Sequence, residues 1–156
     1  MTESRAKAES SRPSCMPSTA RQGPVIIVDD ETCHAMLAEG IIDELRPGFP
    51  VHILTSGEDL IAYLLGEDLY RDRSQYPYPS LVLLDLNMPK MDGFEVLQWL
   101  KTQPKHAAIP VVVLTGVAGI SGQVTRACQM GASSFLPKPV QRPDVTCVLS
   151  LLGILI

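Results

Sequence analysis

Residues 81–97, LVLLDLNMPKMDGFEVL, decide how the chain is folded. The large apolar residues Leu81, Val82, Leu83 and Leu84 run without alternation into Asp85. A run that short and unbroken reads as a strand buried on both faces, as in a parallel sheet. Turn-prone residues follow (Asn87, Pro89, Asp92, Gly93), and then a helix marked by Phe94, Leu97 and Leu100. The strand therefore delivers Asp85 to the carboxyl edge of a sheet, where open α/β folds bind ligands.

Working outward, the same grammar repeats. VIIV at 25–28 ends in Asp29-Asp30, and a helix to about 45 carries Leu37, Ile41 and Leu45 on one stripe before Pro47-Gly48. A strand over 51–54 precedes a helix over 57–65 with Leu60/Leu64 and Ile61/Leu65 pairs. A polar, proline-punctuated connection at 66–79 then holds Tyr70, Tyr76 and Tyr78; it is long for a compact α/β unit. Beyond the opening segment, a strand over 111–114 ends in Thr115, and a helix over 121–130 stops at Gly131. A strand over 133–136 leads to Pro137-Lys138-Pro139, and Pro143-Asp144 opens a helix over 145–155. Five strand–helix alternations imply an α/β, doubly wound, five-stranded parallel sheet, with the flavodoxin-like order 2-1-3-4-5 as the natural candidate.

Composition narrows the function. A chain of 156 residues supports one domain with a proper core. Net charge is −4 with no lysine/arginine block, which speaks against a nucleic-acid surface. Cys15, Cys33, Cys128 and Cys147 form no CxxC pair, as expected of reduced cytoplasmic thiols. No signal peptide is visible, and the longest apolar run, at the C-terminal end, is too short to span a bilayer. Residues 1–23 hold five serines and almost no large apolar side chains, so they read as a disordered tail ahead of a domain over 24–156.

All carboxyl ends of a parallel sheet lie on one edge, so Asp29, Asp30, Asp85, Thr115 and Lys138 converge. Crowded carboxylates repel unless a cation neutralises them, and hard oxygen donors suit Mg²⁺. Lys138 adds a positive charge, Thr115 a hydroxyl, and the backbone N–H of Gly116 a further donor. These are the parts that hold a phosphoryl group. Singly, each has a dull explanation: an Asp pair after a strand caps a helix, and a Lys among prolines is a solvated loop residue. Their joint occurrence at four strand ends favours function.

The pieces VIIVDDE, LVLLDLNMPKMDG, VVVLTG and GASSFLPKP resemble, in order and spacing, the receiver domain of two-component response regulators. The resemblance implies that Asp85 accepts phosphate from a sensor histidine kinase. Asp30, Asp85 and the Asn87 backbone carbonyl would hold Mg²⁺, with Asp29 acting through water. Thr115, Gly116 N–H and Lys138 would contact the phosphoryl group, and the Lys138–Pro139 bond would be cis. Phe135 falls where the family has its aromatic switch, coupled to Thr115. The long 66–79 connection makes the chain similar to stand-alone regulators paired with phytochrome kinases.

Three departures matter. Gly116, Gly119 and Gly122 punctuate the start of the fourth helix without the tight GxG turn of a dinucleotide site, and imply a loose helix start. Val117 is apolar and cannot orient an attacking water, which predicts slow self-dephosphorylation. The last helix, VTCVLSLLGILI, is apolar nearly all round, which predicts a homodimer through that helix and the fifth strand. His34, His52 and His106 show no ligand spacing and read as ordinary residues. Two rival readings remain: a haloacid-dehalogenase-like phosphohydrolase, and a receiver-shaped binding module that takes no phosphate. The hydrolase is disfavoured because its second carboxylate follows the nucleophile by two residues; here that position is Asn87, and the Asp pair precedes Asp85.

Overall fold

A computed structural model describes residues 23–116 and 120–154. Residues 1–22 of the expected tail, Val117, Gly119 and the end of the expected last helix lie outside the described residues. The strands are β1 (Val25–Val28), β2 (Val51–Leu54), β3 (Leu81–Asp85), β4 (Val111–Thr115) and β5 (Ser134–Pro137). The helices are α1 (Thr32–Leu45), α2 (Gly57–Leu65), α3 (Gly93–Thr102), α4 (Ile120–Gln129) and α5 (Arg142–Leu151). All strand pairings are parallel, in the order β2-β1-β3-β4-β5.

The apolar runs explain the layering. Alternate side chains of a strand point to opposite faces, so a run with no polar member needs cover on both. Ile26, Val28, Val82, Leu84, Val111 and Val113 pack under α2, α3 and α4. Val25, Ile27, Leu81, Leu83, Val112 and Leu114 pack under α1 and α5. At about 25 cal/mol per Å² of apolar surface removed from water, these two cores are the main favourable term in folding.

Sharp stops keep the helices in register. Ser56 Oγ accepts the Asp59 N–H and caps α2, while Gly66 closes it in the left-handed conformation at φ 69°. Asp92 and Glu95 form a reciprocal capping box at the start of α3. The start of α3 lies close against the end of β3: a Cβ at Gly93 would overlap the Asp85 carbonyl oxygen and lie 2.6 Å from Leu86 Cα. Only glycine fits there.

The connection at 66–79 is an ordered arch. It contains one 3₁₀ turn, Asp68–Tyr70, and packs Tyr70 and Tyr76 around Tyr63 with ring centroids 5.1 and 5.8 Å away. Arg73 donates to the carbonyls of Tyr63 and Leu64, both at 2.8 Å, and of Tyr76 at 3.1 Å. It thereby supplies a donor to Leu64 O at the end of α2 and a second donor to Tyr63 O, which also accepts the Gly66 N–H at 3.1 Å. Tyr63 Oη donates to Pro77 O at 2.8 Å, and burial pushes its phenol pKa up to about 12.

Three expectations are corrected. The buried stripe of α1 is Ala35, Ala38, Ile41 and Ile42, and Leu37 faces solvent; small alanines carry the close packing against β1. On α2, Leu60 and Leu64 are buried but Leu65 is exposed. The last helix runs over Arg142–Leu151, because Pro143 suits a first helical turn and Gly153, at φ 69°, ends it. Val145, Val148 and Leu149 face the core, Ile154 folds back into it, and Cys147, Ser150 and Leu151 point outward. The helix is therefore two-faced, with Leu151 an exposed apolar residue on its outer side.

Candidate functional site

Register alone brings the predicted residues together. Val28 pairs with Leu84, so the next residues, Asp29 and Asp85, leave adjacent strands side by side. Asp85 pairs with Leu114, one residue before Thr115, and Thr115 pairs with Pro137, one residue before Lys138. Four strand ends converge on one patch of edge.

One carboxylate oxygen from each of Asp29, Asp30 and Asp85 lies within 4.8 Å of the other two. Asp29 and Asp85 are buried, whereas Asp30 is exposed at the rim. Lys138 Nζ sits 2.9 Å from Asp29 Oδ2 and 3.2 Å from Asp85 Oδ1. The other Asp29 oxygen accepts the Glu31 N–H at 2.9 Å, so this residue helps to hold the entry to α1 as well as facing Lys138. The N-cap position itself is Glu31, which makes no side-chain cap hydrogen bond. The Asn87 N–H donates to Asp85 Oδ1 at 3.1 Å, fixing the carboxylate from the loop side.

The electrostatics are strained by design of the sequence. Burial raises the Asp85 pKa to about 6; the charge of Asp29 adds to that, against the Asn87 N–H and Lys138. Burial also opposes the charge on Lys138, but its hydrogen bonds and attraction to Asp29 and Asp85 outweigh it, and its pKa is raised. One ammonium thus pairs with two of the three clustered carboxylates. Among the described residues, the buried oxygens Asp29 Oδ2, Thr115 Oγ1 and Gln123 Oε1 lack a hydrogen bond of good geometry; the first has the Lys138 charge beside it. Clustered anionic oxygens and an orphaned hydroxyl are what a hard divalent cation and a phosphoryl group would satisfy. The donor set fits Mg²⁺.

Above the cluster lies a pocket of about 500 Å³ lined by Glu31, His34, Asp85, Asn87, Gly116, Lys138 and Pro139. The Lys138–Pro139 bond is cis. Gln123 Nε2, from α4, donates to Asn87 Oδ1 at 3.2 Å and ties that helix to the loop after Asp85. Phe135 lies on β5 with 36% of its surface exposed, so it is not a core residue. Glu31, His34 and Gln123 were not legible as site residues: α1 and α4 had to be placed first. His52 and His106, by contrast, are packed among aromatic rings away from the pocket.

Comparison with known proteins agrees with this geometry. Residues 25–149 match the family model described as "Response regulator receiver domain". The probable methanogenesis regulatory protein FilR2 of Methanothrix harundinacea is 33% identical over 121 residues, covering 78% of this chain and 75% of that protein. Among solved structures, the bacteriophytochrome response regulator RtBRR superposes with a TM-score of 0.75 at 28% identity, covering 86% of this chain and 80% of that one. The Mn²⁺-bound form of response regulator Rcp1 gives 0.68 at 28% identity, covering 84% and 91%.

Proposed function

The chain belongs to the response regulator receiver domain family of two-component signalling, and from that premise we propose that Asp85 accepts a phosphoryl group from a sensor histidine kinase in a Mg²⁺-dependent reaction. The observation that carries this reading is the convergence of Asp29, Asp30 and Asp85 within 4.8 Å, with Lys138 the cation between them and Thr115 Oγ1 buried without a partner.

Asp30, Asp85 and the Asn87 backbone carbonyl would hold Mg²⁺, with Asp29 reaching it through water. Bound there, the ion supplies charge neutralisation for a phosphoryl group brought against carboxylates. Asp85 is the nucleophile: a carboxylate oxygen bonds to phosphorus, the bond to the donor nitrogen breaks, and its electron pair returns to the donor imidazole. Lys138, the Gly116 N–H and the Thr115 hydroxyl then take up the phosphoryl oxygens, which relieves the orphaned hydroxyl. Thr115 drawn inward leaves space beside β4, and the exposed ring of Phe135 on neighbouring β5 is the group that fills it. The order of carboxylates and the family match leave the hydrolase alternative without support.

The finer assignments complete the proposal. The domain spans 24–156 and acts in the cytoplasm. Its kinase is of the phytochrome type, a reading supported by the likeness to RtBRR. Homodimers form through α5 and β5, where Leu151 and Phe135 are exposed; a monomeric mass at micromolar concentration, with and without a phosphoryl analogue, contradicts this. The acceptor assignment is tested by treating the protein with acetyl phosphate and Mg²⁺ and then trapping with borohydride, which reduces an acyl phosphate to an alcohol. Peptide mass spectrometry should find homoserine at position 85. Homoserine elsewhere, or none, rejects it.

A further inference from the structure

The pocket above Asp85 has one wall that the phosphoryl-transfer residues do not supply. Its first turn of α1 contributes Glu31 and His34. His34 Nδ1 is shielded from solvent, has no hydrogen-bond partner and lies 3.7 Å from Glu31 Oε1. The two nitrogens of an imidazole diverge, which leaves Nε2 as the ring nitrogen not beside that carboxylate, and His34 lines the pocket. A carboxylate behind one ring nitrogen with the other left free is the arrangement that presents a histidine to a water molecule. The charged groups sharing the pocket wall with His34 are Glu31 at the start of α1, Asp85 at the end of β3 and Lys138 after β5.

We infer that His34, backed by Glu31, positions the water that removes the phosphoryl group from Asp85. This rests on Asp85 being the phosphoacceptor. In the step, the water oxygen bonds to phosphorus and the bond from phosphorus to the Asp85 oxygen breaks. Its electron pair returns to the Asp85 carboxylate, inorganic phosphate leaves, and the water's proton passes by way of His34 Nε2 to solvent. Because that water must enter in line with the departing Asp85 oxygen, the group that holds it must stand on the solvent side of the pocket. The start of α1 follows Asp29 and Asp30 directly and gives the pocket wall Glu31 and His34.

The experiment loads the full chain, wild type, His34→Ala, His34→Gln and Glu31→Gln, with acetyl phosphate and Mg²⁺, then removes the donor. Intact mass follows the phosphorylated fraction with time, and reads loading on the same samples. Should no variant or wild type load, the acceptor reading has failed rather than this one. With loading established, His34→Ala is expected to lengthen the half-life about tenfold. Glutamine, which can still hydrogen-bond a water, restores part of the rate, and Glu31→Gln slows it less than the alanine variant. Equal half-lives for wild type and His34→Ala, within twofold and with Asp85 loaded in both, overturn the assignment.

Discussion

Two polar regions of this molecule treat a partly buried cation in opposite ways. In the arch at 66–79, Arg73 spends its donors on the carbonyls of Tyr63, Leu64 and Tyr76. The phenol beside it donates to Pro77 O, and the rings close around both. At the sheet edge, Lys138 stands between Asp29 and Asp85, which it cannot fully neutralise, beside a hydroxyl with no partner. The difference teaches which region holds structure and which awaits a ligand. A satisfied polar network rigidifies, whereas an unsatisfied one costs stability until something binds.

That contrast can be broken by substitution. Arg73→Ala should have the largest effect on stability, a loss of about 3 kcal/mol in urea unfolding, because it removes three hydrogen bonds to backbone carbonyls. Mg²⁺ affinity should be unchanged; a coupled loss would show that the arch and the pocket are not independent. Asp85→Asn should do the reverse in metal-free protein and stabilise it near pH 7.5 by about 2 kcal/mol. The sign follows from a folded pKa raised to about 6 from 3.8. A carboxyl group raised in this way contributes stability that is full below its unfolded pKa and is lost as pH rises through 6. Chemical denaturation of both proteins at pH 4 and pH 7.5 checks this: the gap should open only at the higher pH. Mg²⁺ should then restore the wild type alone, by about 2.7 kcal/mol at a hundredfold excess over Kd. The smallest effect belongs to Tyr63→Phe, which removes one hydrogen bond and should cost about 1 kcal/mol in the same assay.

The same two regions show how far the sequence could be read. The pocket was legible because its acids stand immediately after unbroken apolar runs. Parallel pairing sends every such run to the same edge, so Asp29, Asp85, Thr115 and Lys138 had to meet. The arch was visible only as a polar connection rich in tyrosine. What Arg73 does there depends on where α2 ends in space, since a loop arginine has no periodicity to betray its partners. The same limit hid His34 and Gln123, whose helices meet the pocket only once they are packed. Alanines misled the reading of α1: counting large apolar residues chose Leu37, whereas close helix–strand contact selected Ala35 and Ala38. At the far end, Gly153 was read as part of an apolar helix. Its left-handed conformation instead turns the chain and sends Ile154 into the core.

The most direct test of the contrast is the intact mass of the full chain after incubation with acetyl phosphate and Mg²⁺. The account predicts one added phosphoryl group, about 80 Da, absent when Mg²⁺ is chelated and absent in Asp85→Asn, yet retained in Tyr63→Phe. An unlabelled wild type, or a label that survives Asp85→Asn, would contradict it.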